Sequence, residues 1–272
     1  MEIKNHLLKG CDLQDSPNHG GKLAGGGPDS IIIHYTAGSS AESSIRTLCN
    51  PEIKASAHLV IGRDGAITQL IPFDTVAWHA GRSSYQGRVG YNKYSIGIEI
   101  DNAGRLTKSG SKYAAWFGRK YDADDVVKAV HRNESKADYW HAYSEEQITV
   151  VGEICQALIK NYPIDTILGH EEIAPRRKSD PGPAFPLDKM RERLFMADRS
   201  QEDAEEPDIE FSGTGVVTAS KLNIRASSNR NAKIVAPPLA KGSSVKILNE
   251  KDGWYEVETR TTGWVKKDYI ET

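Results

Sequence analysis

The chain has 272 residues, 38% of them hydrophobic and 26% charged, with a mean hydropathy of -0.53 and a formal net charge of -2. That length fits one large domain with one small one, and the composition supports an apolar core rather than disorder. A nearly neutral chain has no global field to draw nucleic acid or an anionic membrane, so neither is an expected partner.

The first residues, "MEIKNHLLKGCDLQDSPNHGG", hold no apolar run long enough for a signal peptide. Nowhere does the chain reach about eighteen consecutive apolar residues. The expectation is synthesis in the cytoplasm without a signal peptide and without membrane insertion. Cys11, Cys49 and Cys155 are widely spaced and odd in number, which predicts free thiols of a reducing compartment rather than a disulfide framework.

"SIIIHYT" and "AHLVIG" are short β-rich runs; "RDG" then marks a turn and "AITQLI" returns as the second arm of a hairpin. "SIGIEI", residues 95–100, reads as another buried strand. "AESSIRTLC" is a short helix candidate. "SEEQITVVGEICQALIKNY" opens with a Ser144 to Gln147 capping box and places Ile148, Val151, Cys155, Leu158 and Ile159 on one face. Pro163 predicts its end at Asn161 or Tyr162. "PLDKMRERLFM" is a last short helix. Strands and helices interleave without strict alternation, so the expected fold is α/β, a mixed central β-sheet flanked by helices, over residues 1–197. Acidic and small residues in "DRSQEDAEEPDIEFSGTG" predict a linker, placed at 198–212. Short β-type runs between Gly, Pro, Asn and Asp clusters then predict a small all-β barrel over 213–272.

A catalytic zinc site takes three protein ligands and leaves a fourth position to water. Candidate imidazoles are His34, His58, His79, His131, His141 and His170, besides His6 and His19 near the start. No HExxH motif selects among them. His34 ends one hydrophobic strand and His170 follows "DTILG" in the same way, so both fall where a sheet gives way to loops. Asp180 precedes a proline, which keeps it extended and suits a third ligand. Polar residues in ordinary turns account for the same pattern, and on the residues alone both readings stand.

"IIIHYTAG", "ASAHLVIGRDG", "VAWHAG", "YSIGIEI" and "GHEEIAPRRKSDPGPAF", in this order, resemble zinc-dependent N-acetylmuramoyl-L-alanine amidases of the AmpD type (amidase type 2), relatives of the peptidoglycan recognition proteins. The likeness covers about residues 15–197. "LNIRASSNRNAKIV", "GWYEV" and "TGWVKKDYI" resemble a bacterial SH3-like domain. The first resemblance implies Zn²⁺ as cofactor, His34, His170 and Asp180 as its ligands, Glu99 as the catalytic carboxylate and Lys178 as the helper of the developing oxyanion. It also implies peptidoglycan or muropeptides as partners, cut between the lactyl group of N-acetylmuramic acid and L-alanine. His79 is the expected cleft residue, with Trp78 and Tyr35 as further substrate contacts; His58 is assigned to packing or substrate contacts.

Residues 102–143 are an insertion relative to the shortest family members, rich in aromatic rings that are expected mostly to bury their own small cluster. Trp254 and Trp264 are expected inside the C-terminal barrel. A lytic enzyme of the phage or prophage endolysin kind, acting at the wall or periplasm after release, is the favoured setting. The alternatives are a cytoplasmic recycler of anhydro-muropeptides, a secretion-system effector, and a non-catalytic peptidoglycan-binding protein of the same fold. A monomer is the default expectation.

Overall fold

In the computed structural model the structure describes residues 1–23, 25, 27–196, 213–219, 221–251 and 253–260. The chain divides into two compact units, Met1–Ala204 and Glu205–Thr272. The expected linker, 198–212, and Trp264 lie outside the described residues.

Six strands build the main sheet of the first unit: β1 (Asp12–Leu13), β2 (Ser30–Tyr35), β3 (Leu59–Ile61), β4 (Ile67–Gln69), β5 (Ser95–Ile100) and β6 (Thr166–Gly169). Their spatial order is β6-β2-β5-β3-β4-β1. β6, β2, β5 and β3 run parallel, β3 and β4 form the expected antiparallel hairpin, and β1 lies parallel to β4. "SIIIHY" and "SIGIEI" are almost continuously apolar because inner parallel strands are covered on both faces.

Strand periodicity of two assigns those faces. Ile31, Ile33, Ile96, Ile98 and Ile100 join the main core. The capped helix α2 (Glu145–Asn161) enters the same core through Val150, Val151, Ile154, Cys155 and Leu158, with Ile148 and Ile159 at its margin, so the buried stripe is wider than the sequence suggests. Helix α4 (Leu187–Met196) adds Leu187 and Met190. The opposite face carries Ile32, His34, Gly97 and Glu99. It is covered in part by Ala80, Tyr91, Leu168 and Ile173, while helix α1 (Ala41–Leu48) packs Ile45 on Val60. No helix among the described residues is long and apolar enough to cross a membrane.

The insertion folds into a second, five-stranded antiparallel sheet that the sequence reading did not anticipate, built from Arg105–Ser109, Lys112–Ala114, Lys120–Tyr121, Val126–Val130 and Ala137–His141. Leu106, Ala115 and Val126 form its own core with Tyr113, Phe117, Tyr121 and Tyr139, as expected of most of its rings. Trp116 departs from that expectation and stands in solvent.

Within the second unit, Gly213–Val216, Ser244–Lys251 and Trp254–Glu258 form one antiparallel sheet, and Lys221–Arg225 pairs with Ile234–Ala240 in another. It is a small all-β unit, with Trp254 half-buried.

Candidate metal centre

Register brings the distant ligand candidates together. Glu99 lies opposite His34 across the β5–β2 pair, and Gly169 lies opposite Ile33 across β6–β2. The next residue of each chain segment is then His34 on β2 and His170 at the start of the one-turn helix α3 (His170–Ile173). Asp180 returns to this point, its carbonyl accepting the Glu171 N–H at 2.8 Å.

The three side chains are buried and converge. His34 Nδ1, His170 Nδ1 and Asp180 Oδ2 form a triangle with every edge 2.9 Å. Three lone-pair atoms aimed at one point cannot all be satisfied by the proton or two available to them. A cation satisfies them together: tetrahedral zinc with bonds of about 2.0–2.1 Å holds its ligand atoms about 3.3 Å apart, close to this triangle. Two imidazoles and one carboxylate also match the donor set of a zinc site with an open position.

Neighbouring groups hold these rings in the ligating tautomer. His170 Nε2–H donates to the Ala80 carbonyl at 3.1 Å, leaving the Nδ1 lone pair free. His34 Nε2–H faces His79 Nδ1 at 3.0 Å, and His79 Nε2 faces the Ser95 hydroxyl and carbonyl at 3.3 and 3.4 Å. Burial, reinforced by the neighbouring His170, pushes His34 down to about 4, so the ring is neutral, the form that binds metal. Burial alone would raise Asp180, but its close contacts with the His170 and His34 rings hold its carboxyl below the ordinary carboxylate range.

Glu99 Oε2 is closed off from solvent and has no hydrogen-bond partner among the described residues. Burial first, then the nearby Asp180 charge, raise its pKa well above the usual carboxylate value, and Lys178 opposes the shift. Lys178 is half-buried and makes no side-chain hydrogen bond or ion pair among the described residues, so its charge remains available to this pocket.

Residues 24–183, more than half of the chain, match the family described as N-acetylmuramoyl-L-alanine amidase. The chain belongs to this family. Residues 220–271 match a bacterial SH3 domain. The 1,6-anhydro-N-acetylmuramyl-L-alanine amidase AmpD of Salmonella typhimurium (strain SL1344) is 34% identical over 151 residues, 55% of this chain and 62% of that protein. The N-acetylmuramoyl-L-alanine amidase AmiD of Escherichia coli (strain K12) is 30% identical over 209 residues, 72% of this chain and 64% of that protein. A crystal structure of a Se-Met AmpD derivative matches with a TM-score of 0.51 at 28% identity, covering 70% of this chain and 98% of that one. The chain thus spans less than two thirds of the two curated relatives.

Within the amidase domain, His79 is not on an open cleft wall, contrary to the expectation for it: it is buried behind His34 and holds that ring. His58 is a strut, donating from Nε2 to the Thr75 carbonyl at 2.9 Å and accepting the Gly97 N–H on Nδ1 at 3.0 Å. Tyr35 hydrogen-bonds Ser179 at 2.7 Å through its hydroxyl and so braces the loop beside Asp180; burial pushes its phenol up to about 12. Trp78 is half-buried, its backbone N–H donating to Ser56 Oγ at 2.8 Å. His131 and His141 belong to the insertion, and His6 and His19 lie at the exposed start.

Gly97 is a site residue that sequence reasoning missed. A Cβ there would lie 2.4 Å from His79 Cγ, so the ring rests on bare backbone. Gly97→Ala is expected to cost about 1–3 kcal/mol by overpacking. By displacing the partner of His34, it should also weaken zinc binding about 10- to 100-fold. Urea unfolding and chelator competition measure the two effects; unchanged zinc affinity would remove Gly97 from the site's support.

Proposed function

We propose that the chain is a zinc-dependent hydrolase of the amide bond between the lactyl group of N-acetylmuramic acid and L-alanine of the stem peptide. The observation that carries this reading is the buried, unpartnered Oε2 of Glu99, whose strand position lies opposite His34 of the His34, His170 and Asp180 triangle. His34, His170 and Asp180 would hold Zn²⁺, which when bound supplies Lewis-acid polarisation and acidifies water from a pKa of ~15.7 towards ~7. Glu99, with a pKa moved towards the working range, accepts the proton of the attacking water and delivers it to the leaving amine nitrogen. Lys178 places positive charge where the scissile carbonyl oxygen becomes negative. Ala80 and His79 orient the two histidines throughout.

Filled donor positions and a poised carboxyl favour hydrolysis over a purely binding role. The names of the AmpD relatives support a 1,6-anhydro-N-acetylmuramyl-L-alanine substrate, whereas a bacterial SH3 domain in the same chain as the amidase domain is our reason for favouring polymeric wall and the lytic setting. Purified protein is expected to release new L-alanine amino termini from peptidoglycan, and rates on intact sacculi against soluble muropeptides separate the two settings. Zinc uptake without new amino termini on either substrate would overturn hydrolysis.

A further inference from the structure

Trp116 is 79% exposed, more than any other large hydrophobic side chain among the described residues. It sits at the tip of the hairpin between Lys112–Ala114 and Lys120–Tyr121, in a turn closed by the Gly118 N–H to the Ala115 carbonyl at 2.9 Å. Its indole N–H donates to the Ala37 carbonyl at 2.7 Å. The ring is therefore anchored and its single polar atom is used, so it has only apolar faces to offer. Ala37 follows the proposed ligand His34 by three residues, at most about 11 Å of chain, so the ring is tethered to the loop that leaves the His34 strand.

The same loop and hairpin border a cavity of about 230 Å³, lined among others by Ser39, Arg63, Asp101, Arg119, Asp125 and His141. That volume is below the roughly 300–1,000 Å³ of drug-sized sites and suits one ring rather than a stem peptide. Its charges balance, two arginines against two aspartates, so neither a bare carboxylate nor a cation is favoured. His141 accepts the Ala103 N–H on Nδ1 at 3.1 Å, and burial keeps the imidazole neutral, so its Nε2–H is a donor with no partner among the described residues. A balanced set of donors and acceptors beside an aromatic platform suits a neutral polyhydroxylated ring, whose C–H face meets the negative face of the indole.

We propose that Trp116 and this cavity form a sugar subsite, in which the indole stacks on the glycan ring next to the muramoyl residue and Ser39, Arg119, Asp125 and His141 bind its hydroxyl and acetamido groups. This subsite rests on the amidase reading and deepens it: the insertion makes the enzyme read the glycan as well as the bond it cuts.

The test is calorimetric titration of the full-length zinc-loaded chain with the peptide-free disaccharide of N-acetylglucosamine and N-acetylmuramic acid. Wild type is expected to bind it, Trp116→Ala to bind about 3- to 10-fold more weakly, the scale of one aromatic stacking contact, and His141→Ala to weaken it as well. In turnover, Trp116→Ala should raise KM for the disaccharide-peptide with kcat unchanged, and leave KM for the monosaccharide-peptide unchanged. No disaccharide binding by wild type, or equal binding by Trp116→Ala with its zinc content intact, overturns the subsite. So does a Trp116 dependence found only with the sugar-free stem peptide. Because the titration involves no hydrolysis, a failed amidase activity and a failed subsite are read separately.

Discussion

Glu99→Gln is expected to retain zinc and to lose about 10²- to 10⁴-fold in kcat, the range of a positioned general acid–base. Glutamine keeps the shape and one acceptor oxygen but takes no proton from water, so the loss should fall on kcat with KM little changed. Turnover within a few-fold of wild type would remove Glu99 from the chemistry. The same substitution has an opposite effect on the metal-free fold. The Glu99 pKa is raised by folding, chiefly through burial, so above the unfolded value of about 4.3 the folded state holds more protons than the unfolded state and stability falls as pH rises. Metal-free Glu99→Gln should therefore match wild type near pH 4 and exceed it increasingly towards neutral pH. Urea unfolding of both proteins from pH 4 to 8 checks this, and a difference that does not change with pH contradicts it.

Asp180→Ala should abolish zinc-dependent stabilisation and activity together. Ligand binding to the native state alone stabilises it by about 2.7 kcal/mol at a hundredfold excess over Kd. Wild type should show that gain on zinc addition, and the variant should show almost none, because two imidazoles without the carboxylate lack both the third donor and its charge. Asp180 also affects the metal-free protein: its depressed pKa means that its ionised form stabilises the fold above about pH 4 and that this contribution disappears as the solution is acidified. Thermal unfolding with and without zinc, together with metal analysis, decides the matter; full zinc occupancy in Asp180→Ala would disprove the ligand assignment.

Much of the fold was legible because burial leaves a local signature. Continuous apolar runs revealed β2 and β5, the turn "RDG" revealed the β3–β4 hairpin, and Ser144 with Gln147 marked the start of α2. The insertion sheet was not legible, since strands such as Arg105–Ser109 and Val126–Val130 are largely exposed on one side and short. At the site, His34 and His170 could be placed at strand ends, but their meeting depends on the β6–β2 register, which no spacing in the sequence encodes. Gly97, and the role of His79 as the support of His34, were hidden for another reason. A glycine in a strand and a histidine in a loop acquire their roles only when one ring stacks on the other's backbone.

The insertion is also mechanically joined to the ligand loop. His131 Nε2 meets the buried Glu171 carboxylate at 2.7 Å, Arg132 Nε reaches the same carboxylate at 2.9 Å, and Asn133 Nδ2 donates to the Glu171 carbonyl at 2.9 Å. Glu171 Oε2 in turn accepts the Gly182 N–H at 3.0 Å, on the far side of Asp180. Excising residues 102–143 would therefore strand a buried carboxylate one residue from His170, a proposed zinc ligand. A shortened chain that still folds will need a replacement at position 171 as well as a shorter loop, which makes the two segments one mechanical unit rather than a domain and its ornament.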